Sequence, residues 1–556
     1  MKNLLIVFLV FMLFSCGKEE KIQVDTIVIN ANIYTVNSSF DKAQAFAIND
    51  GKFVDIGRNS DIQEKYESFN IIDAKEQTIV PGFIDAHCHF LGLGYDIRSA
   101  ELIGTKSFVE VLDSVVSFQK RYKADYITGR GWDQNDWLVK EFPTKKKLDS
   151  LFPNTPVALM RIDGHALLCN QAALNLGKIT AESKIDGGEV ILENGKPTGI
   201  LIDNAKSLVM SHWPKPTRED MAKALIAAQD ICFKNGLTTV DEAGLSREAI
   251  EVIDSLQTAD ILKIRMYAMV SATNENLDYY LNKGIYKTDK LNVRSFKVYA
   301  DGALGSRGAL LRKPYTDQPD HFGLLTTSFS QMDSIAKRIA KSKFQMNTHA
   351  IGDSANHILL NIYNKVLKDD KDRRWRIEHA QIVSQGDFGK FQNVLPSVQP
   401  THATSDMYWA EERLGKDRMK EAYAYQQLLK AYGKIALGTD FPVEKVNPFL
   451  TFHSAVARQD LEAYPMDGFQ MENALSREEA LQGMTIWAAF SNFEEKEKGS
   501  IEVGKFADFI ILDKNIMVIE NKEIPKTKVV KTFVNGVLQY EMPKADVNEI
   551  EETEKN

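Results

Sequence analysis

Between residues 79 and 437 the hydrophobic positions gather into eight short runs, at 79–87, 236–240, 263–270, 295–301, 345–349, 375–379, 395–399 and 434–437, separated by stretches of helical periodicity. Short apolar runs alternating with helices predict βαβ units and a parallel sheet. His349 and His379 close two consecutive runs and lie roughly 30 residues apart, the length of one such unit. Eight runs in this layout predict an α/β chain forming a (β/α)8 barrel over 81–497. The first and second runs are much farther apart than the others, so an inserted subdomain of about residues 100–230 is expected at the barrel mouth, where loops accept additions. Within it the 3.6-residue pattern is clearest over 221–233, where Ala222, Leu225, Ala228 and Cys232 share a face.

The two ends have a different texture. Short β-runs at 26–29, 45–48, 53–56 and 71–73 precede the barrel, and Asp50-Gly51 between two of them is a hairpin signal. Runs at 509–512 and 528–534, the latter followed by Asn535-Gly536, repeat the pattern near the C-terminus. One small β-domain is therefore expected from both termini, residues 22–80 plus 498–541. Residues 542–556 are acidic and poor in large apolar side chains, which predicts a disordered tail.

The first 17 residues depart from both patterns. Lys2 is followed by an apolar run from Leu4 to Phe14 and then by Ser15-Cys16-Gly17. The run is short for a bilayer span, which needs about 20 residues; a signal peptide over 1–15 fits better than an N-terminal anchor helix. A small residue before Cys resembles the lipobox of bacterial lipoproteins, which implies a lipid on Cys16, a tether over 16–21 and a place in the cell envelope at the outer membrane. Lys18-Glu19-Glu20 resembles the acidic signal that sends such proteins to the cell surface. With Cys16 set aside, Cys88, Cys169 and Cys232 form no even set for a disulfide framework. The net charge of -8, with Lys and Arg dispersed, offers no basic stripe for nucleic acid.

Candidate chemistry starts at His87 and His89. Residues two apart on a strand point to the same side, so both imidazoles can face one metal ion, whereas Cys88 points the other way as packing. The C-terminal ends of barrel strands are where active sites form. Asn347-Thr348-His349-Ala350-Ile351-Gly352-Asp353, Arg376-Ile377-Glu378-His379-Ala380 and Leu437-Gly438-Thr439-Asp440-Phe441-Pro442 each set a His or Asp at or just past such an end. With these stretches the chain resembles the amidohydrolase superfamily, family 3 branch, over nearly its whole mature length, including Lys498-Gly499-Ser500-Ile501-Glu502-Val503-Gly504-Lys505-Phe506-Ala507-Asp508. The resemblance implies a TIM barrel in which His87 and His89 bind the more buried metal and His349 and His379 a second. It gives Asp440 to the first metal and to proton exchange with the attacking water, and it offers Lys297 as a bridging carbamate formed with CO2.

Imidazole and carboxylate ligands suit zinc, with manganese or iron as substitutes, and one or two ions are expected. The implied reaction is hydrolysis of an amide or related C-N bond, or an ester, of a small molecule by metal-activated water. A non-catalytic surface binding protein and a metal-dependent isomerase or lyase are the competing readings, since function belongs to the site rather than to the fold. His165, Trp132, Asp301 and Arg307 are candidates for substrate contact; a structural alternative stands beside three of them, a capping or hydrogen-bonded histidine for His165, an aromatic core residue for Trp132 and a charge paired with a neighbouring carboxylate for Arg307. Trp137 shares the reading of Trp132. His212, His321, His357, His402 and His453 lack a comparable setting and are read as structural or surface residues. Substrate and oligomeric state are not legible.

Overall fold

A computed structural model describes residues 20–543, apart from 98 and 369. Cys16, the signal segment and nearly all of the acidic tail lie outside the described residues.

Eight parallel strands form the barrel: β1 (Phe83–Cys88), β2 (Leu237–Leu245), β3 (Arg265–Ser271), β4 (Leu291–Tyr299), β5 (Gln345–Ala350), β6 (Arg376–His379), β7 (Leu395–Val398) and β8 (Ala436–Leu437). Each pairs in parallel with the next. The ring is drawn together just past the ends of β8 and β1: the Asp440 N–H donates to His87 O at 2.8 Å and the His89 N–H to Phe441 O at 2.7 Å. Gly438 lets the two chains meet, because a Cβ there would sit 2.6 Å from His87 N. The interior is almost wholly buried, so the barrel is a packed core open only at its rim.

The run at 79–87 divides in two. Thr78–Pro81 joins the small sheet and β1 begins at Phe83. The break falls at Gly82, where a Cβ would collide with the Thr238 side chain. The small sheet runs Val537–Glu541, Val529–Val534, Phe509–Leu512, Thr78–Pro81, Asn32–Tyr34, Lys42–Ala43, combining both ends of the chain. A four-stranded sheet of Lys52–Gly57, Ala45–Asn49, Thr26–Ile29 and Ile71–Asp73 accompanies it. Asp50 and Gly51 (φ 49° and 72°), like Asn535 and Gly536 (φ 52° and 70°), take the left-handed backbone of a two-residue hairpin.

Between β1 and β2 lies a six-stranded sheet, ordered Ala100–Glu101, Ile127–Trp132, Val157–Arg161, Ala166–Cys169, Lys196–Asp203, Gly188–Glu193. It has its own core around Trp132, Leu159 and Leu168, separate from that of the barrel. The helix Arg218–Lys234 starts inside the range expected for the insert, yet it packs on β2 and its neighbouring helices and so belongs to the barrel. Thr217 and Asp220 close its N-terminus as a capping box. Cys88, Cys169 and Cys232 are buried free thiols.

Candidate metal centre

The barrel rim and the insert enclose a cavity of about 1090 Å³. His89, Lys297, His349, His379 and Asp440 line it, and His87 lies fully buried beneath them. Their rings form one continuous group: His87 to His89 5.7 Å, His87 to His379 4.8 Å, His379 to His349 4.6 Å between centroids. The six residues expected at the metals therefore converge, although they come from five barrel strands and the loops that follow. The tightest donor set joins His379 to His87 and Asp440, whose ligand atoms all lie within 4.8 Å of one another. His379 (φ 72°) and Asp440 (φ 62°) both sit in left-handed backbone, which turns the chain sharply at the strand ends and aims the side chains inward.

Charge buried behind the rim orients these ligands. His87 Nδ1 is 2.6 Å from Glu378 Oε2, which fixes the Nδ1–H tautomer and leaves the Nε2 lone pair on the side of Lys297 and Asp440. Glu378 is held by Arg376 Nε at 2.8 Å, and Arg376 Nη1 reaches Asp241 Oδ2 at 2.9 Å. All three charged groups are fully buried. Burial raises the Glu378 carboxyl, but Arg376 and His87 outweigh it and hold it well below the usual range. His379 Nδ1 is likewise engaged, at 2.7 Å from Gln399 Oε1.

The donor set suits a divalent cation. Burial, with help from Lys297, pushes His87 down to about 4. Burial also lowers His89, and carries His349 and His379 well below the ordinary value. Four neutral imidazoles then present lone pairs rather than protons, the state that metal binding requires. The buried Asp440 Oδ1 has His89 Nε2 at 3.3 Å and His87 Nε2 at 3.6 Å but no aligned hydrogen-bond donor among the described residues. An unsatisfied carboxylate oxygen among lone-pair nitrogens is electrostatically incomplete without a cation. Lys297 Nζ stands 3.0 Å from His87 Nε2, and burial pushes its pKa down to about 8.

Two groups that brace the metal centre escaped the sequence reading. His402 Nε2 lies 3.4 Å from Asp440 Oδ2 and Nδ1 3.1 Å from Glu444 Oε1. Burial lowers its pKa, but hydrogen bonds to the two carboxylates outweigh that and carry it up to about 10. Its position shortly after β7, at the rim, was the available signal. Glu242, near the end of β2, accepts the backbone N–H groups of Phe90 and Leu91 just after His89 and so braces that turn; burial raises its carboxyl to about 8.

The candidates for substrate contact divide. His165 lines the cavity, with its ring 5.1 Å from that of His349. Trp132 is fully buried in the insert core, where its Nε1–H donates to Leu159 O at 2.8 Å, and Trp137 is buried with it. Asp301 is fully buried and anchors a loop, accepting the N–H groups of Ile351, Gly352 and Leu310 at 3.0, 2.8 and 2.8 Å. Arg307 pairs with Asp317 at 2.9 Å, away from the cavity lining. For Trp132 and Arg307 the structural alternative describes what the side chain touches, and Asp301 is a loop anchor.

A parallel barrel with imidazoles, a lysine and a carboxylate converging at its C-terminal rim defines the class of metal-dependent hydrolase barrels. Residues 70–540 match the amidohydrolase family, and the chain belongs to it. It is 31% identical over 539 residues to protein LONG AFTER FAR-RED 3 of Arabidopsis thaliana, covering 93% of this chain and 91% of that one. It is 26% identical over 551 residues to an N-substituted formamide deformylase of Arthrobacter pascens, covering 93% and 98%. An uncharacterized metal-dependent hydrolase from Pyrococcus horikoshii superposes with a TM-score of 0.73 at 28% identity, over 89% of this chain and 99% of that structure. The chain is thus a hydrolase of a metal-dependent family.

Proposed function

We propose that the protein hydrolyses an amide or a related C-N bond of a small molecule, with a zinc-type cation held by His87, His89, His349, His379 and Asp440. The observation that carries this reading is the convergence of His87, His379 and Asp440 at the cavity floor. When bound, the cation supplies Lewis acidity, lowering the pKa of water toward about 7 and polarising the substrate carbonyl. Lys297, buried and without an ion pair among the described residues, is placed to serve as an anionic ligand once carboxylated by CO2.

Asp440 is the group placed for proton transfer. The attacking water gives its proton to the carboxylate as the new C-O bond forms, and the carboxyl then gives that proton to the departing nitrogen. His402, between Asp440 and Glu444, holds the carboxylate in a fixed orientation. The Asp241, Arg376, Glu378 chain holds His87 in the tautomer that ligation needs. The formamide chemistry in the name of the Arthrobacter relative makes simple formamides the first substrates to try. Cys16 is proposed as the lipid attachment point that fixes the enzyme to the cell envelope.

The test is metal analysis of the purified protein together with an amide and ester hydrolysis screen. Bound zinc, activity lost on chelation and activity restored by zinc are the expected results. A protein that hydrolyses amides at full rate after complete metal removal would refute the reading.

A further inference from the structure

The insert contributes one ionisable pair to the cavity that the rim chemistry leaves unused. His165 lies on the turn between Val157–Arg161 and Ala166–Cys169, and its Nδ1 is 2.6 Å from Asp203 Oδ1. Asp203 is fixed from several sides. Its backbone N–H donates to His165 O at 2.8 Å, and it holds a strained backbone of φ 47°, ψ -121°. Its Oδ2 is buried without a hydrogen-bond partner among the described residues, pressed against Gly302 and Gly308, where any Cβ would collide with it. The two glycines belong to the loop after β4, so the barrel itself is shaped to receive this carboxylate.

A carboxylate at 2.6 Å from an imidazole nitrogen requires the proton between them. In the neutral ring the other nitrogen then carries a lone pair and accepts. His165 Nε2 has no hydrogen-bond partner among the described residues, and the residue lines the cavity beside His349. Asp163 Oδ1 accepts the His165 N–H at 2.9 Å and Lys206 Nζ donates to Gly164 O, so the turn is held as well as the ring.

We infer that His165 accepts a hydrogen bond from the N–H of the scissile group, with Asp203 as its positioning residue, so that the insert selects substrates whose reacting nitrogen carries a hydrogen. The substrate class is then a primary or secondary amide, in preference to an N,N-disubstituted amide or an ester of the same shape. The inference rests on the proposed amide hydrolysis and specifies the group that site recognises.

The experiment compares N-propylformamide, N-methyl-N-propylformamide and propyl formate as substrates of the zinc-loaded enzyme. The wild type is expected to favour the secondary over the tertiary amide by about tenfold in kcat/KM, the scale of one hydrogen bond. That ratio should fall toward one in His165→Phe and in Asp203→Ala. It is read on a single preparation, so partial misfolding of a variant cancels, and a purely steric preference would survive both changes. Selective 15N-histidine NMR on the full chain supplies a second readout, with the His165 signal identified by its loss in His165→Phe. Nδ1–H should dominate in the wild type, and Nε2–H should appear in Asp203→Ala. An Nε2–H signal from His165 in the wild type overturns the inference even if Asp203→Ala does not fold. A ratio preserved in both variants, or equal turnover of both amides by the wild type, overturns the inference alone and leaves amide hydrolysis standing. Turnover of neither amide sinks both.

Discussion

The barrel rim and the insert face the same cavity but hold their side chains by different means. On the rim, ligands sit at strand ends and are braced from behind by fully buried charge: Asp241, Arg376 and Glu378 lock His87, and Glu242 locks the turn after His89. In the insert, His165 sits on a turn, and its ring is held by one carboxylate that leans on two barrel glycines. The insert also has a core of its own. The difference teaches a division of labour. Groups that must stay put for metal chemistry are built into the barrel core, while groups that meet the variable part of a substrate ride on a module that can change without disturbing it.

The sharpest way to break this comparison is at the rim. Asp440→Asn keeps the shape of the side chain but removes the proton acceptor, and kcat should fall by about 10²–10⁴-fold, the usual contribution of a positioned acid-base group. Steady-state kinetics on metal-loaded protein, with the thermal transition unchanged, checks it. Full activity in this variant would move the chemistry away from the rim.

Next in size is the buried charge behind the rim. Arg376→Met leaves Asp241 and Glu378 buried without their cation, and about 3–5 kcal/mol of stability should be lost. Denaturant unfolding measures this directly. A loss of the same size from Asp203→Ala would erase the contrast drawn between the two regions, since the insert's pair would then be as deeply structural as the rim's.

Much of the rim was legible in the sequence, because strand ends announce themselves: His87, His349, His379 and Asp440 each close or follow an apolar run, and a barrel sends such positions to one face. What stayed hidden was whatever depends on partners far away in the chain. Glu378 stood in plain view beside His379, but its role needs His87, which lies 291 residues away. His402 follows β7 by only a few residues, the same kind of place as Asp440, but no motif sets it apart there and its role needs the contact with Asp440. Trp132 and Asp301 show the opposite case: one candidate fills the insert core, the alternative already weighed for it, and the other, an aspartate just after a strand, ties three backbone N–H groups.

Asp301 offers a test of intermediate size. Asn at this position turns an N–H toward backbone donors where a carboxylate oxygen had accepted them, and a cost of about 1–3 kcal/mol is expected from the unsatisfied groups. Burial raises the carboxyl to about 7 against those three hydrogen bonds, so part of the native population carries a proton there near neutral pH. Because the folded pKa lies above the unfolded one, this group favours folding most at low pH and its contribution is lost as pH rises through about 7. The pH slope of stability between 5 and 8 should therefore flatten in Asp301→Asn, while substrate selectivity stays that of the wild type.

The smallest effect belongs to Arg307. Its partner Asp317 also pairs with Arg413, and both Arg307 and Asp317 are partly exposed. Removing one cation from a partly solvated group of this kind costs at most about 1 kcal/mol. Arg307→Ala should accordingly shift the unfolding midpoint little and leave kcat/KM unchanged for acidic and neutral amides alike, as comparison of the two substrate types would show. A selective loss against acidic substrates would place Arg307 in the cavity wall after all. It would also extend the recognition surface beyond the insert, to the barrel loop that already supplies Gly302 and Gly308.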